Sequence, residues 1–412
     1  MKFPLGSSSL NWMYGRGRQS AAIRNLETHN PTSTSHPESD SDLLHTADSY
    51  SSIMAIPSLS FSRPTFAKLS PHPYLLTNLS PQSPSTKPSR TNGRAPHEAR
   101  PVQIHTSSLS HAHGSALVRS GNTTVVCGVR AEILPVTNIP QYRPRSSLQP
   151  STTASDEAAD RAELKAYDLL VPNIELATGC APQFLPGVPP STLAQTLSTR
   201  VYSLLHSCGV VDPKSLRIWH DPSAEAKKTT GEGDASMQDD NDDDESEAEP
   251  PQLMAYWVLY IDLLFVSFDG NPFDAAWTAV MAALRDTKLP EARWDPDREM
   301  AICSRTRKNP LDVSRGGLPV ACTAAVFQEK EYAEAGGLAG ENRHWVLLDP
   351  DRLEESLCRE TVTMVVDCGG VGGETRIRSI EKQGGTVIGR ELMRGFAGVA
   401  EKRWREVRDA MQ

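Results

Sequence analysis

Three groups of residues in this chain could do chemistry. The first is Asp269-Gly270-Asn271-Pro272-Phe273-Asp274, between a long apolar run and a helical pattern. A turn leading into a helix presents free amides and the positive end of the helix dipole, a natural seat for an anion. Asn271 is a good N-cap and Pro272 suits the first helical position, but Pro272 has no amide to offer. Asp274 puts a carboxylate in the first turn, which answers the dipole from within and opposes an incoming anion. The second group is Asp349, Asp351, Glu354 and Glu355, carboxylates at a strand end that are expected to be solvated. The third is cationic: Arg119 and Arg130 at opposite ends of one hairpin, and Arg305, Arg307, Lys308 and Arg315 in a polar, loop-like segment. Such cations hold phosphates where they face a nucleic acid and are ordinary surface charges elsewhere.

Other candidates carry less. His111 and His113 form an HxH pair without a Cys or acid at ligand spacing, so no metal site is expected. Asp367 to Glu374 is a Gly-rich hairpin turn without the Lys-Ser/Thr of a phosphate-cradling loop. No cofactor is expected.

The elements that must position these groups are legible from periodicity. Gly114 to Ile133 reads as two strands about a Ser120-Gly121-Asn122 turn, with Val125, Cys127, Val129, Ala131 and Ile133 on one face. Pro101 to Thr106 and Asp168 to Leu176 read as further strands, and Leu216 to Trp219 as a short one. Ser191 caps a helix whose stripe is Leu193, Leu197, Val201, Leu204 and Leu205, ended by Cys208-Gly209. Tyr256 to Phe268 is a near-continuous apolar run, expected as a strand buried on both faces. The helix after it runs from Phe273 to Arg285 with Trp277, Val280, Met281 and Leu284 as its stripe. Leu318–Phe327, Trp345–Asp349, Thr361–Asp367 and Thr375–Ile380 form a second block of strands. A helix over 388–411 closes the chain, bearing Leu392, Phe396, Val399, Trp404 and Val407.

The class is α+β, with two βαβα-type sub-domains whose mixed sheets pack on helices. Residues 1–53 read as a disordered extension and 54–97 as an arm and linker. The first sub-domain covers 98–290, with a disordered acidic insertion at about 222–252, and the second covers 315–412. Residues 135–165 read as a polar excursion. The formal charge of −9 comes from residues 232–249, which hold ten acids and no base; the remainder sums to +1. A near-neutral body without aromatic/basic interleaving argues against an isolated nucleic-acid-binding module. The seven cysteines include no CxxC and read as reduced, buried thiols of a cytosolic or nuclear protein. No run of eighteen apolar residues suggests a membrane span. Arg16, Arg18 and Arg24 hint at a mitochondrial presequence that Glu27, Glu38, Asp40, Asp42 and Asp48 then spoil.

GSALVRSGNTTVVCGVRAEI at 114–133 resembles the paired strands of the RNase PH superfamily, and Arg90-Thr-Asn-Gly-Arg94 resembles its R-x-D-G-R motif, with Asn92 in place of the acid. VPN at 171–173, PVACT at 319–323 and the LDP before Glu354-Glu355 resemble the RNase PH-like ring subunits of the eukaryotic RNA exosome. The resemblance implies a hetero-hexameric ring of RNase PH-like subunits, RNA-binding cap subunits, associated nucleases, and RNA threaded through a central channel. It implies rRNA processing and RNA turnover in the nucleus, nucleolus and cytoplasm. Active members use a D-G-G-T-R-like turn to grip phosphate, where this chain has Asp269-Gly270-Asn271-Pro272-Phe273. They also carry an inward Asp that Glu360 to Val366 lacks. The resemblance therefore implies a catalytically silent scaffold subunit, with Arg119, Arg130, Arg305, Lys308 and Arg315 as candidates to face the RNA channel; the alternative is an active phosphate-dependent 3′-to-5′ exoribonuclease.

Overall fold

The computed structural model describes residues 62–412, apart from 82–84, 143–153, 186–188, 221, 223–250, 314–316, 330–343, 370–373 and 385–388. The extension 1–53, the acidic run 232–249 and Arg315 lie outside the described residues.

Strands β1 (Val102–Thr106), β2 (Gly114–Ser120) and β3 (Thr123–Pro135) form an antiparallel meander. Its inward face is Ala116, Val118, Val125, Cys127 and Val129, all fully buried, as the alternation required. The strand β6 (Gln252–Ser267) pairs antiparallel with β3 along one edge. Along its other edge run β4 (Leu170–Leu176), parallel to it, and β5 (Arg217–His220), antiparallel to it. The second sheet, in the order β10 (His344–Leu348), β9 (Val320–Gln328), β11 (Glu360–Asp367), β12 (Arg376–Gln383), is antiparallel throughout.

Seven helices are described: α1 (Arg63–Leu69), α2 (Pro71–Leu79), α3 (Ala154–Ala166), α4 (Thr192–Cys208), α5 (Pro272–Asp286), α6 (Arg352–Leu357) and α7 (Arg390–Ala410). Ser191 caps α4 by accepting from the Ala194 amide, and Gly209 ends it in the left-handed conformation at φ 59°. The arm docks through Leu75 and Leu79, which pack with Ala325, Phe327 and Leu347 of the second sheet.

Four expectations change. The Phe273–Arg285 helix is not striped. From Pro272 to Leu284 every residue but Asp274 is buried, because α5 touches both β2–β3 and β9. Ala275, Ala276, Ala279, Ala282 and Ala283 supply the thin faces that let both sheets approach. Strand β6 is buried on both faces only in its first half. From Tyr260 onward it alternates, leaving Leu264 at 41% and Val266 at 50% exposure. In the first half Tyr256 donates to Glu163 of α3, which lies in the expected polar excursion, and its ring sits 5.5 Å from that of Tyr167 at a tilt of 50°. The polar segment after α5 is a two-stranded ribbon, β7 (Lys288–Asp295) with β8 (Met300–Pro310). In α7, Phe396, Trp404 and Val407 are buried, whereas Leu392 and Val399 are only partly so.

Two buried indoles tie the helices to the lead into β9. Trp277 Nε1 donates to the Pro319 carbonyl at 2.8 Å and Trp404 Nε1 to that of Leu318 at 2.7 Å. A close approach falls at Gly114, where a Cβ would lie 2.3 Å from Thr287 Oγ1 and 2.6 Å from the Ala283 carbonyl. A Gly114→Ala variant is expected to lose about 1–3 kcal/mol through overpacking, read as a lower denaturation midpoint at unchanged m-value.

Candidate functional site

The turn at the head of α5 and the carboxylates of residues 349–355, far apart in sequence, meet in space. Gly270, at φ 76°, lies under the loop after β10; a Cβ there would sit 2.5 Å from the Asp351 carbonyl carbon and 2.7 Å from the Pro350 oxygen. That contact closes the turn from above. Asn271 stands at the N-cap position, but in the left-handed conformation at φ 48° and without a side-chain cap bond. The expected cap is replaced by other bonds. Asn271 Nδ2 donates to Asp349 Oδ1 at 2.7 Å and to Asp274 Oδ2 at 2.9 Å. The Asn271 amide, the donor an anion would use, is taken by Glu355 Oε1 at 2.7 Å.

The other side chains of the turn are equally committed. Asp274 accepts from the Thr323 amide at 2.8 Å and hydroxyl at 2.7 Å, which locks α5 to β9. Burial pushes its carboxyl up, against the hydrogen bonds from Asn271 and Thr323. Phe273 is 2% exposed, and the Arg200 guanidinium lies 3.8 Å above its ring. That guanidinium is itself engaged by Glu381 at 2.6 Å and Thr363 at 3.1 Å. Asp269 is held by Asn122 at 3.2 Å.

The carboxylates of 349–355 are not solvated as a strand-end loop suggested. Asp349 is 2% and Glu354 0% exposed. Arg100, just before β1, grips Asp349 with its amide (2.8 Å), Nε (2.8 Å) and Nη2 (2.7 Å). Its Nη1 also reaches the Asp269 carbonyl at 2.7 Å. Burial works against charge on Asp349, but the hydrogen bonds and charge of Arg100, with Asn271, draw its carboxyl down to about 2. Arg90 Nε donates to Glu354 Oε1 at 2.7 Å and Arg90 Nη1 to the Leu348 carbonyl at 2.6 Å; its Nη2 pairs with Glu354 Oε2. Arg94 lies 3.6 Å from Asp349. The segment 80–98, expected as linker, thus carries a fully buried arginine that clamps the second sheet. Asp351 caps α6 in a capping box with Glu354, a D-x-x-E pattern that was readable in sequence. Glu355 is part-buried, and desolvation pushes its carboxyl up to about 7 despite the Asn271 amide and Arg100.

None of the four described candidate cations bonds to this turn. Arg119 is exposed and donates to the Gly121 carbonyl at 3.0 Å. Arg130 pairs with Glu132 at 3.1 Å and lies 5.7 Å over the Tyr260 ring. Arg305 and Lys308 are exposed on β8, the latter opposite Pro290. Of the HxH pair, His113 Nδ1 accepts from the Ala131 amide at 3.1 Å, a structural role. Among the described residues no three His, Cys, Asp or Glu side chains are placed to hold a metal ion.

A mixed sheet and an antiparallel sheet share one central helix with a turn at its N-terminus, an α+β arrangement. Residues 98–290 match the family model described as 3′ exoribonuclease family, domain 1, and are an RNase PH family domain. The chain is 28% identical to the exosome complex component rrp43 of Schizosaccharomyces pombe, over 85% of this chain and 99% of that protein. It is 27% identical to the exosome complex component Rrp42 of Methanothermobacter thermautotrophicus, over 76% of this chain and 86% of the relative. In fold it is similar to a chain of the Archaeoglobus fulgidus exosome with RNA bound to the active site, at a TM-score of 0.52 and 23% identity, covering 83% of this chain and 97% of that one.

Two measurements probe the network. Arg100→Ala removes the main partner of the buried Asp349 carboxylate, leaving it only Asn271 and the more distant Arg94, and is expected to cost about 3 kcal/mol in denaturant unfolding. Glu355 has a folded value, about 7, above its ordinary 4.5, so its contribution is intact below about 4.5 and is lost as pH rises through about 7. Glu355→Gln keeps the Asn271 contact without that loss. Its melting temperature, relative to the parent chain, is expected to rise by about 2 °C more at pH 8 than at pH 5.

Proposed function

We propose that this chain is a non-catalytic structural subunit of an RNA exosome ring, supporting 3′-to-5′ processing and degradation of RNA carried out by associated nucleases. Its partners are other RNase PH-like subunits in a hetero-hexameric ring, RNA-binding cap subunits, and RNA in the central channel. Likeness to rrp43 along nearly the whole of that relative supports the assignment to a ring. Its sites of action are the nucleus, including the nucleolus, and the cytoplasm.

The observation that carries the silent reading is the sealed head of α5. A phosphate needs open amides and uncommitted cations. Here the Asn271 amide is occupied by Glu355, Pro272 has none, Phe273 stands where the family places Arg, and Arg100 is neutralised by Asp349. An anion would have to displace the side-chain oxygen of Glu355 and lie beside the ionised carboxylate of Asp349. The exposed cations Arg119, Arg130, Arg305 and Lys308, together with Arg315, are the candidates for contact with RNA.

Purified chain incubated with 3′-ended RNA and inorganic phosphate is expected to release no nucleoside diphosphate above background, and to co-purify with other RNase PH-like chains when captured from its own cells. Robust release that Asp269→Ala abolishes would overturn the silent reading; capture without any RNase PH-like partner would overturn the ring.

A further inference from the structure

Strand β4 ends its sheet, and among the described residues it pairs with β6 alone. In such a ladder the polar groups of successive residues point to opposite sides. The Leu259 amide of β6 donates to the Leu169 carbonyl at 2.8 Å, so residues 169, 171, 173 and 175 turn their backbone groups to β6, and 170, 172, 174 and 176 turn theirs away. Pro172 agrees with that parity: its missing amide falls on the outer side, and its carbonyl accepts from Ser198 Oγ of α4 at 3.0 Å. Past Pro172 no described residue bonds to the outer amides and carbonyls of Ile174 and Leu176. Ile174 is nonetheless only 5% exposed. Shielded backbone groups are almost always paired, so open ones on a strand edge point to a partner.

Beside that edge runs a groove of about 540 Å³, bounded by the C-terminal half of β4, the segment 183–185 and the lead into α4. Its walls are mostly apolar: Phe184, Leu185, Pro189, Pro190 and Ala194. Leu185 is 65% exposed. Three polar side chains of the groove are engaged within the chain. Asn173 Nδ2 donates to Asp262 at 3.3 Å, Gln183 Oε1 accepts from Arg352 at 2.8 Å, and Ser191 Oγ accepts from the Ala194 amide at 3.2 Å. Glu175 is the one charged residue among the described residues lining the groove, and it is exposed. Across the ladder it stands opposite Leu264, itself 41% exposed.

We propose that this edge takes an extended segment of another protein as an added strand, through an apolar–basic–apolar run of residues. The open amides and carbonyls of Ile174 and Leu176 supply the pairing. The partner's two apolar side chains enter the groove on the same side as Ile174 and Leu176, and its basic side chain lies on the other face, opposite Glu175. A second copy of β4 does not fit. Pairing that uses every open group sets Ile174 of each copy against Leu176 of the other, and that register puts Glu175 directly against Glu175. Centring the pair on Ile174 instead brings Pro172, which has no amide, opposite Leu176. The proposal is independent of the sealed turn at α5 and of the ring reading.

The test uses the full chain and two end-blocked fluorescent peptides, Ser-Ser-Val-Lys-Val-Ser-Ser and the same peptide with Glu for Lys, followed by anisotropy to millimolar concentration. The Lys peptide is expected to bind about fivefold more tightly than the Glu peptide, and Glu175→Lys to reverse that order. Glu175 is exposed, and circular dichroism checks that the variant folds. Methylating the backbone nitrogens of both valines should abolish binding. Hydrogen exchange at the Ile174 and Leu176 amides should be fast in the free chain and slowed by the Lys peptide. Absence of saturable binding would overturn the proposal, as would equal affinity for the two peptides in both the parent and Glu175→Lys. Slow exchange at both amides before any peptide is added would show that the edge is already paired and overturn it too. A dimer in sedimentation that the Lys peptide dissociates would assign the edge to a second copy instead.

Discussion

Arg100 meets Asp349 beneath the head of the central helix, and much of the molecule is held in register by that pair. Arg100 precedes the first strand of one sheet; Asp349 follows the first edge strand of the other. The same guanidinium caps the carbonyl of Asp269, the same carboxylate accepts from Asn271, and Arg403 of the last helix donates to the Arg100 carbonyl at 2.9 Å. Two charges taken out of water recover their hydration only when every donor and acceptor finds a partner. Here both partners are hydrogen-bonded on several sides, and each further bond fixes another segment: the strand before β1, the turn into α5, the loop after β10, and α7.

Around that pair the acids of the turn have become structural. Asp274 bonds to Thr323, Glu355 to the Asn271 amide and Glu354 to Arg90. At this turn the Asn271 amide, a donor of the kind a helix N-terminus can offer to an anion, is taken by the chain's own Glu355. Three further features belong to the same turn: Pro272 where an amide would serve a ligand, Phe273 buried under Arg200, and Gly270 pressed against the backbone of Asp351. Closing the turn joins the two sheets and occupies the Asn271 amide.

The outer surface divides differently. The outward face of the first sheet leaves Leu264 and Val266 exposed, and the ribbon β7–β8 carries exposed cations, of which Arg307 is paired with Glu291. An exposed apolar strip on a sheet and a cationic projection have different physical uses. The first suits a packed protein neighbour, and the second keeps its charges in solvent.

Much of this fold was legible in the chain order of its residues. The period-two alternation of Val125, Cys127, Val129 and Ala131, the Ser191 cap and the four strands of the second block are local patterns, and local patterns survive folding because backbone geometry imposes them. The substitutions at 271–273 were also visible, so the altered chemistry of the turn could be read before any contact was known. What sequence could not show was where the charges went. Arg90, Arg100, Asp349 and Glu354 look like solvated loop residues, and only contacts across some two hundred and fifty positions bury them together. The all-round burial of α5, the half-exposed β6 and the ribbon at 288–310 were likewise decided in three dimensions. Burial on a given face depends on what another segment lays against it, and no period in the sequence encodes that.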